Sequence, residues 1–206
     1  MGCELDHLIY GVGDLELAIS DLVGRTGVRP TRGGRHLGRG TANALLGLGM
    51  SRYLELLGPD PEAADWVPLA YGLDQLAEPK LVGWAVRTEE IERSAELMRE
   101  QGWDPGRIEE MERIRPDGVR LRWRLTLLPM EEVGAYPFLI DWGDSPHPSE
   151  TAPSGLELAE LRLDDPEPDR LRKVLESLGV SAVVAGAEEP SLTAHIRTAA
   201  GPLVLR

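Results

Sequence analysis

Cysteine is nearly absent: Cys3 stands alone among 206 residues, so no internal disulfide can form and packing must hold the fold. A chain so poor in cysteine suits a reducing compartment, and a cytoplasmic location is expected. Long apolar runs are missing as well, none approaching the roughly 18 residues of a membrane span. The start, Met1-Gly2-Cys3-Glu4-Leu5-Asp6, has neither an apolar signal core nor the small hydroxyl residue of a myristoylation signal. Basic charge is scarce. Against 35 Asp and Glu there are 22 Lys and Arg, a formal net charge of −13. That balance excludes general binding to nucleic acid or to anionic membrane, though a local basic pocket stays open. What remains, 42% hydrophobic and 28% charged residues, is the composition of a globular chain long enough to bury a sizeable core.

The strongest signal is a repeated strand-helix unit. Residues 5–12 read as a strand, with His7, Ile9 and Gly11 on one face because side chains alternate. Asp14 then opens an amphipathic segment with Leu15, Ala18, Ile19, Leu22 and Val23 at helical spacing. The pattern returns at residues 82–87 followed by Glu90-Ile91. Aligning Asp14 with Glu90 sets Gly83 opposite His7. A third copy begins near Leu158, with its helix from about Glu167 to Leu178 stopped by Gly179.

Between these starts the strands cluster as hairpins. Residues 28–31 form a possible short strand, and Gly33-Gly34-Arg35-His36-Leu37-Gly38-Arg39-Gly40 reads as a glycine-rich, basic loop or arm. Residues 41–48 and 52–57 pair across a Gly49-Met50-Ser51 turn. In the second unit 108–111 is a weak strand, Arg115-Pro116-Asp117-Gly118 a turn, 119–128 a long strand, 129–135 a polar loop and 137–142 the closing strand. The third unit offers 181–185 and a hairpin of 192–197 with 203–205. The expected class is α+β: repeated βαβββ units forming a curved sheet around a cleft, with an additional C-terminal βαβββ-like unit. The expected organisation is a first unit at 1–58, a connector at 59–79 packed by aromatics that include Trp66, a second unit at 80–145, a linker at 146–155 and a third unit at 156–206.

His7 on the first strand, Glu55 on the last, and the segments Leu5-Asp6-His7, Gly33-Gly34-Arg35-His36, Tyr53-Leu54-Glu55-Leu56 and Arg115-Pro116-Asp117-Gly118 together resemble the vicinal oxygen chelate superfamily. Within it they look most like the glyoxalase-like domain branch, over about residues 5–145. The resemblance implies paired units wrapping a cleft in which a divalent metal often sits, held by four ligands from the first and last strands of two units. By position these are His7, Glu55, Gly83 and Asp141; Gly83 has no ligating side chain, so the implied metal set is His7, Glu55 and Asp141.

Each candidate has a plainer alternative. His7 and Glu55 are a metal or catalytic pair, or a buried hydrogen-bonded pair. Asp141 is a ligand, or a turn carboxylate near Gly143. His36, beside Arg35 and Arg39, is a proton-transfer group or an exposed loop histidine. Asn43 is a pocket residue or a turn-side hydrogen-bonding residue. On the alternating strand Arg120-Leu121-Arg122-Trp123-Arg124-Leu125, either the arginines bind an anion or they form a solvated face while Trp123 lines the cleft. His147 and His195 are expected to be structural.

Two functions follow. The first is a glyoxalase-like lyase, isomerase or dioxygenase using a divalent metal, with Glu55 and His36 catalytic and Arg35, Asn43, Arg122, Trp123 and Arg124 binding a carboxylated or phosphorylated substrate. The second is a metal-free protein of the same fold that binds or sequesters a small molecule. A homodimer is compatible with either, and the third unit could serve oligomerisation or act as a lid.

Overall fold

The computed structural model describes residues 2–63, 69–127 and 134–206. Strand β1 (Glu4–Gly11) is the seam on which the architecture closes. It pairs in parallel with β4 (Arg52–Pro59), where His7 meets Tyr53 and Ile9 meets Glu55, and antiparallel with β5 (Lys80–Arg87). Both neighbours cover it, so it is buried from Leu5 to Gly11.

The first unit continues through β2 (Thr31–His36) and β3 (Thr41–Gly49). The second contains β5, then β6 (Arg107–Ile114), β7 (Arg120–Leu127) and β8 (Phe138–Asp141). Strand β2 pairs with β6 through Arg35–Ile114 and His36–Arg113, and the two units close an eight-stranded barrel in the order β1-β4-β3-β2-β6-β7-β8-β5. The glycine-rich arm is therefore a strand over its first half, with a turn from Leu37 to Gly40, and residues 28–30 are not a strand. Pairing supplies the reason: β3 lies antiparallel along the arm from Thr31 to His36, and β6 adds a second edge at Arg35 and His36 that local sequence cannot reveal. The end of the 119–128 strand, Trp66 and most of the 129–135 loop lie outside the described residues.

Helices α1 (Leu15–Thr26) and α2 (Ile91–Glu100) pack outside the barrel. Asp14 starts α1 by accepting the backbone N–H groups of Glu16 and Leu17, and Gly27, at φ 73°, ends it in the left-handed conformation. Leu15, Ala18, Ile19 and Leu22 meet the outward side chains Leu8, Tyr10, Leu54 and Leu56. Trp84, fully buried, fills the equivalent position in the second unit and donates its indole N–H to the Ala135 carbonyl at 2.8 Å.

The third unit comprises β9 (Leu156–Asp165), α3 (Pro168–Leu178), β10 (Val183–Gly186), β11 (Ser191–Thr198) and β12 (Gly201–Leu205). Its element order is βαβββ, but its pairing differs. In the barrel the first strand of each unit runs parallel to the last, β1 with β4 and β5 with β8, whereas β9 runs parallel to β10 and the sheet order is β10-β9-β11-β12. A helix between adjacent parallel strands is the usual crossover connection, and α3 provides it. The unit shares the outer apolar cluster through Leu161, Leu163, Leu171 and Val174, and Gly47 N–H to Pro153 O and Leu81 N–H to Arg206 O tie its ends to the barrel.

Trp84→Ala removes the largest fully buried side chain of the outer cluster and leaves the Ala135 carbonyl without its donor. The expected loss is about 3–5 kcal/mol in urea-monitored unfolding.

Candidate active site

The inner face of the barrel is not filled. It encloses a cavity of about 650 Å³, within the size range of small-molecule sites, walled by Ile9, Tyr53, Leu57, Trp123, Phe138 and Trp142 together with a few polar groups. None of the described residues of the third unit reaches it. Five of its polar residues, His7, His36, Asn43, Glu55 and Arg113, come from β1, β2, β3, β4 and β6, so barrel closure alone brings them together.

The pairing of β1 with β5 slips between Leu5 and His7, placing Asp6 in a bulge. Bulges re-aim side chains, and this one buries Asp6 beside His7 instead of on the outer face. His7 donates Nδ1–H to Asp6 Oδ1 at 2.6 Å and stacks on Tyr53 at 4.6 Å between ring centroids. The other Asp6 oxygen accepts from His147 Nε2 at 2.8 Å and from the Trp142 indole at 3.3 Å. Burial opposes the Asp6 charge, yet the hydrogen bonds and positive partners outweigh it and hold the carboxyl well below its ordinary range. With Nδ1 so anchored, His7 Nε2 faces Glu55 Oε2 at 3.5 Å.

Glu55 is 7% exposed. Its Oε1 accepts from Asn43 Nδ2 at 2.5 Å, and Asn43 Oδ1 in turn accepts from Arg113 Nη1 at 2.6 Å. A buried carboxylate and a buried guanidinium are thus joined through one amide. The chain crosses β2 at Gly33, where an added Cβ would lie 2.2 Å from both Arg113 Nη1 and Asn43 Oδ1. At Gly34, φ 132°, an added Cβ would lie 2.4 Å from the Ile114 carbonyl oxygen. Gly33 therefore makes room for the side-chain bridge, and Gly34 for the close approach of β2 to the β6 backbone.

His36 completes the polar edge, with Nδ1 2.8 Å from Thr41 Oγ1 and Nε2 3.8 Å from Glu55 Oε1. Burial pulls its pKa down to about 4 despite the nearby Glu55 charge, so the ring is neutral at pH 7. Tyr53 and Tyr71 are held as neutral phenols by burial.

A family model described as a glyoxalase-like domain matches residues 5–179. The chain belongs to that family, and with it to the vicinal oxygen chelate superfamily. No curated protein matches it in sequence. Among solved structures it is similar to a hypothetical protein from Staphylococcus aureus, at 13% identity and TM-score 0.64 over 92% of this chain and 88% of that one. It also matches methylmalonyl-CoA epimerase from Mycobacterium tuberculosis (17% identity, TM-score 0.43, 69% of this chain and 88% of that one). A methylmalonyl-CoA epimerase solved with methylmalonyl-CoA and NH4+ aligns at 18% identity and TM-score 0.47 over 72% and 100%. These likenesses concern the fold.

Divalent metals are common in the superfamily, but the donors of this glyoxalase-like chain fall short of the four-ligand pattern. The strand register locates the fourth position. Ile9 pairs with Glu55 in the first unit, and its counterpart Ala85 pairs with Phe138 in the second. The structural partner of Glu55 is therefore Phe138, not Asp141. Asp141 lies on the other face of β8, where Oδ2 accepts from Arg124 at 2.6 Å and Oδ1 from the Gly143 N–H at 3.0 Å. At the third position an added Cβ on Gly83 would sit 3.3 Å from the Tyr71 ring, which covers it. Among the described residues no group of three or more His, Cys, Asp or Glu is placed to hold a metal ion.

The proposed substrate-binding residues divide in two. Asn43 and Trp123 line the cavity; Arg35, Arg122 and Arg124 do not. Arg35 pairs with Asp60 and Glu62, Arg122 lies 3.6 Å from Glu112, and Arg124 bridges Glu92 and Asp141. Strand alternation points Trp123 inward, so its neighbours face acidic partners outside. Arg113 and Asp6 escaped the sequence argument as candidate site residues. Arg113 lies beyond the weak strand expected at 108–111; the observed strand runs on to Ile114, and that extension carries Arg113 onto the same face as Met111. His147, assigned a structural role from sequence, does buttress Asp6 from a linker.

Two outcomes test this geometry. His36 binds its proton less well folded than unfolded, so stability should fall as pH drops from about 6.5 toward 4, by roughly 1 kcal/mol per pH unit. His36→Gln should flatten that slope in denaturation measured at pH 7 and pH 5. Gly33→Ala should displace the Arg113–Asn43 bond; a crystal structure of the variant with this bond unmoved would refute the account of the glycine.

Proposed function

We propose that this glyoxalase-like protein is a small-molecule enzyme of lyase or isomerase type that moves a proton on a carbon acid bound in the barrel cavity, with Glu55 as the base. The observation that carries the reading is Glu55 itself, the one carboxylate among the described residues of an otherwise largely apolar wall. One of its oxygens is engaged by Asn43, while Oε2 faces His7 Nε2 at 3.5 Å, beyond ordinary hydrogen-bond length. Oε2 is therefore available to a substrate C–H. In the step, the C–H bond beside a carbonyl breaks, an O–H bond forms on Glu55, and the electron pair passes to the carbonyl oxygen as an enolate. His7, held through Nδ1 by Asp6, can take the proton onward from Glu55 at Nε2. Neutral His36 borders the same carboxylate and adds no competing charge. No step is routed through a metal, since the donor set is incomplete.

A second reading, binding without turnover, is favoured by Gly83 and Phe138 occupying two of the four positions from which relatives take metal ligands. Exchange of carbon-bound hydrogen distinguishes the two. Small 2-oxo and 3-oxo acids and their neutral ketone analogues, incubated with the protein in deuterated water and followed by proton NMR, should lose the signal beside the carbonyl. Glu55→Gln should slow that loss by about a hundredfold or more. Compounds that bind the wild type but never exchange would leave the binding reading in its place.

A further inference from the structure

Arg113 is 3% exposed and lines the cavity, yet no carboxylate pairs with it among the described residues. Its Nη1 donates to Asn43, and its buried Nε–H has no partner. The other two arginines on the cavity wall, Arg39 and Arg107, are both engaged by Glu109 at the rim. A buried guanidinium without a directly bonded anion is costly, because its lost hydration is not replaced. Asn43 supplies one neutral acceptor, which satisfies part of that demand. The nearest negative charge on the wall, Glu55, is held off by the width of the Asn43 amide.

We propose that Arg113 is the anchor for the carboxylate of a monocarboxylic acid whose apolar body lies against Trp123, Trp142 and Phe138. The proposal rests on the cavity being the ligand site. It deepens that reading by naming the substrate class and a residue that sets specificity. Charge and shape favour a carboxylate over a phosphate. One buried cation balances one negative charge; a phosphate near −2 would carry an excess charge into an apolar cavity beside Glu55. A planar carboxylate also matches the fork of a guanidinium, which prefers two parallel bonds. The Asn43 amide then sets the distance between anchor and base. The acid held at Arg113 presents a carbon near its carboxylate, or the next one along, to Glu55 Oε2.

The test is isothermal titration of the full chain with phenylacetate, 3-phenylpropanoate and 4-phenylbutanoate, each beside its primary amide, which has the same size and no charge. At least one acid should bind, and its amide should bind about tenfold or more weakly. Arg113→Met should abolish the preference, whereas Arg113→Lys should keep part of it; thermal unfolding of each variant checks that it is folded. Glu55→Gln should retain the preference for the acid even where proton exchange is lost, so failure of the chemistry and failure of the anchor give different results. Equal binding of acid and amide to the wild type, an undiminished preference in folded Arg113→Met, or no acid binding at millimolar concentration would each overturn the proposal. The wild-type comparison decides the matter even if both Arg113 variants misfold.

Discussion

The hydrogen-bonded line Glu55–Asn43–Arg113 is the constraint around which the inner barrel is arranged. It joins β4, β3 and β6, and so spans the junction between the two units. Opposite charges buried in the same cavity attract more strongly than they would in water, yet neither can be left without a hydrogen-bonding partner. Asn43 resolves this by donating to the anion and accepting from the cation. Its amide can do both at once, which a carboxylate or an aliphatic side chain could not. Room for the bridge comes from Gly33 on the strand between, where any side chain would collide with it.

That arrangement is affordable because stability comes from elsewhere. The outer face of the barrel, helices α1 and α2 and the third unit form one continuous apolar cluster, with Trp84, Leu8, Leu54 and Leu163 fully buried. The inner face is left with two smaller clusters and an open cavity. Strand alternation makes the separation possible, since each strand sends successive side chains to opposite faces. The third unit therefore works as an outer buttress, and its different strand order has no direct effect on the cavity wall.

The two barrel units differ in chemistry while sharing their pairing. The first supplies His7, His36, Asn43 and Glu55; at the positions matching His7 and Glu55 the second carries Gly83 and Phe138. Tyr71, at φ 61° in the connector, packs over Gly83 and occupies space that a ligand side chain would need. The side whose matching positions carry no metal-donor side chain is also the side with the aromatic wall of Trp123, Phe138 and Trp142. The result is a polar half facing a more apolar half, with Arg107 and Arg113 the charged exceptions contributed by the second unit.

Much of this was legible in the residues. Helical spacing after Asp14 and Glu90, the hairpins that follow, and the recurrence of the pattern near Leu158 determined the repeated α+β units, because periodicity and turn chemistry are local properties. Strand alternation similarly put His7 with Ile9, and Glu55 with Tyr53, on faces turned toward the interior. Other features depended on which strands became neighbours. Strand β2 forms from a glycine-rich arm because β3 pairs along its length and β6 takes up its far edge, and Asp6 turns inward because β1 slips against β5. The counterpart of Glu55 is Phe138 rather than Asp141 for the same reason: a displacement of one residue along a strand exchanges its two faces, and register is decided between strands. The sequence alone determined the units and the polar pair in the first of them; tertiary pairing decided which arginine enters the cavity, because alternation names two possible faces and only the closed barrel selects the inner one.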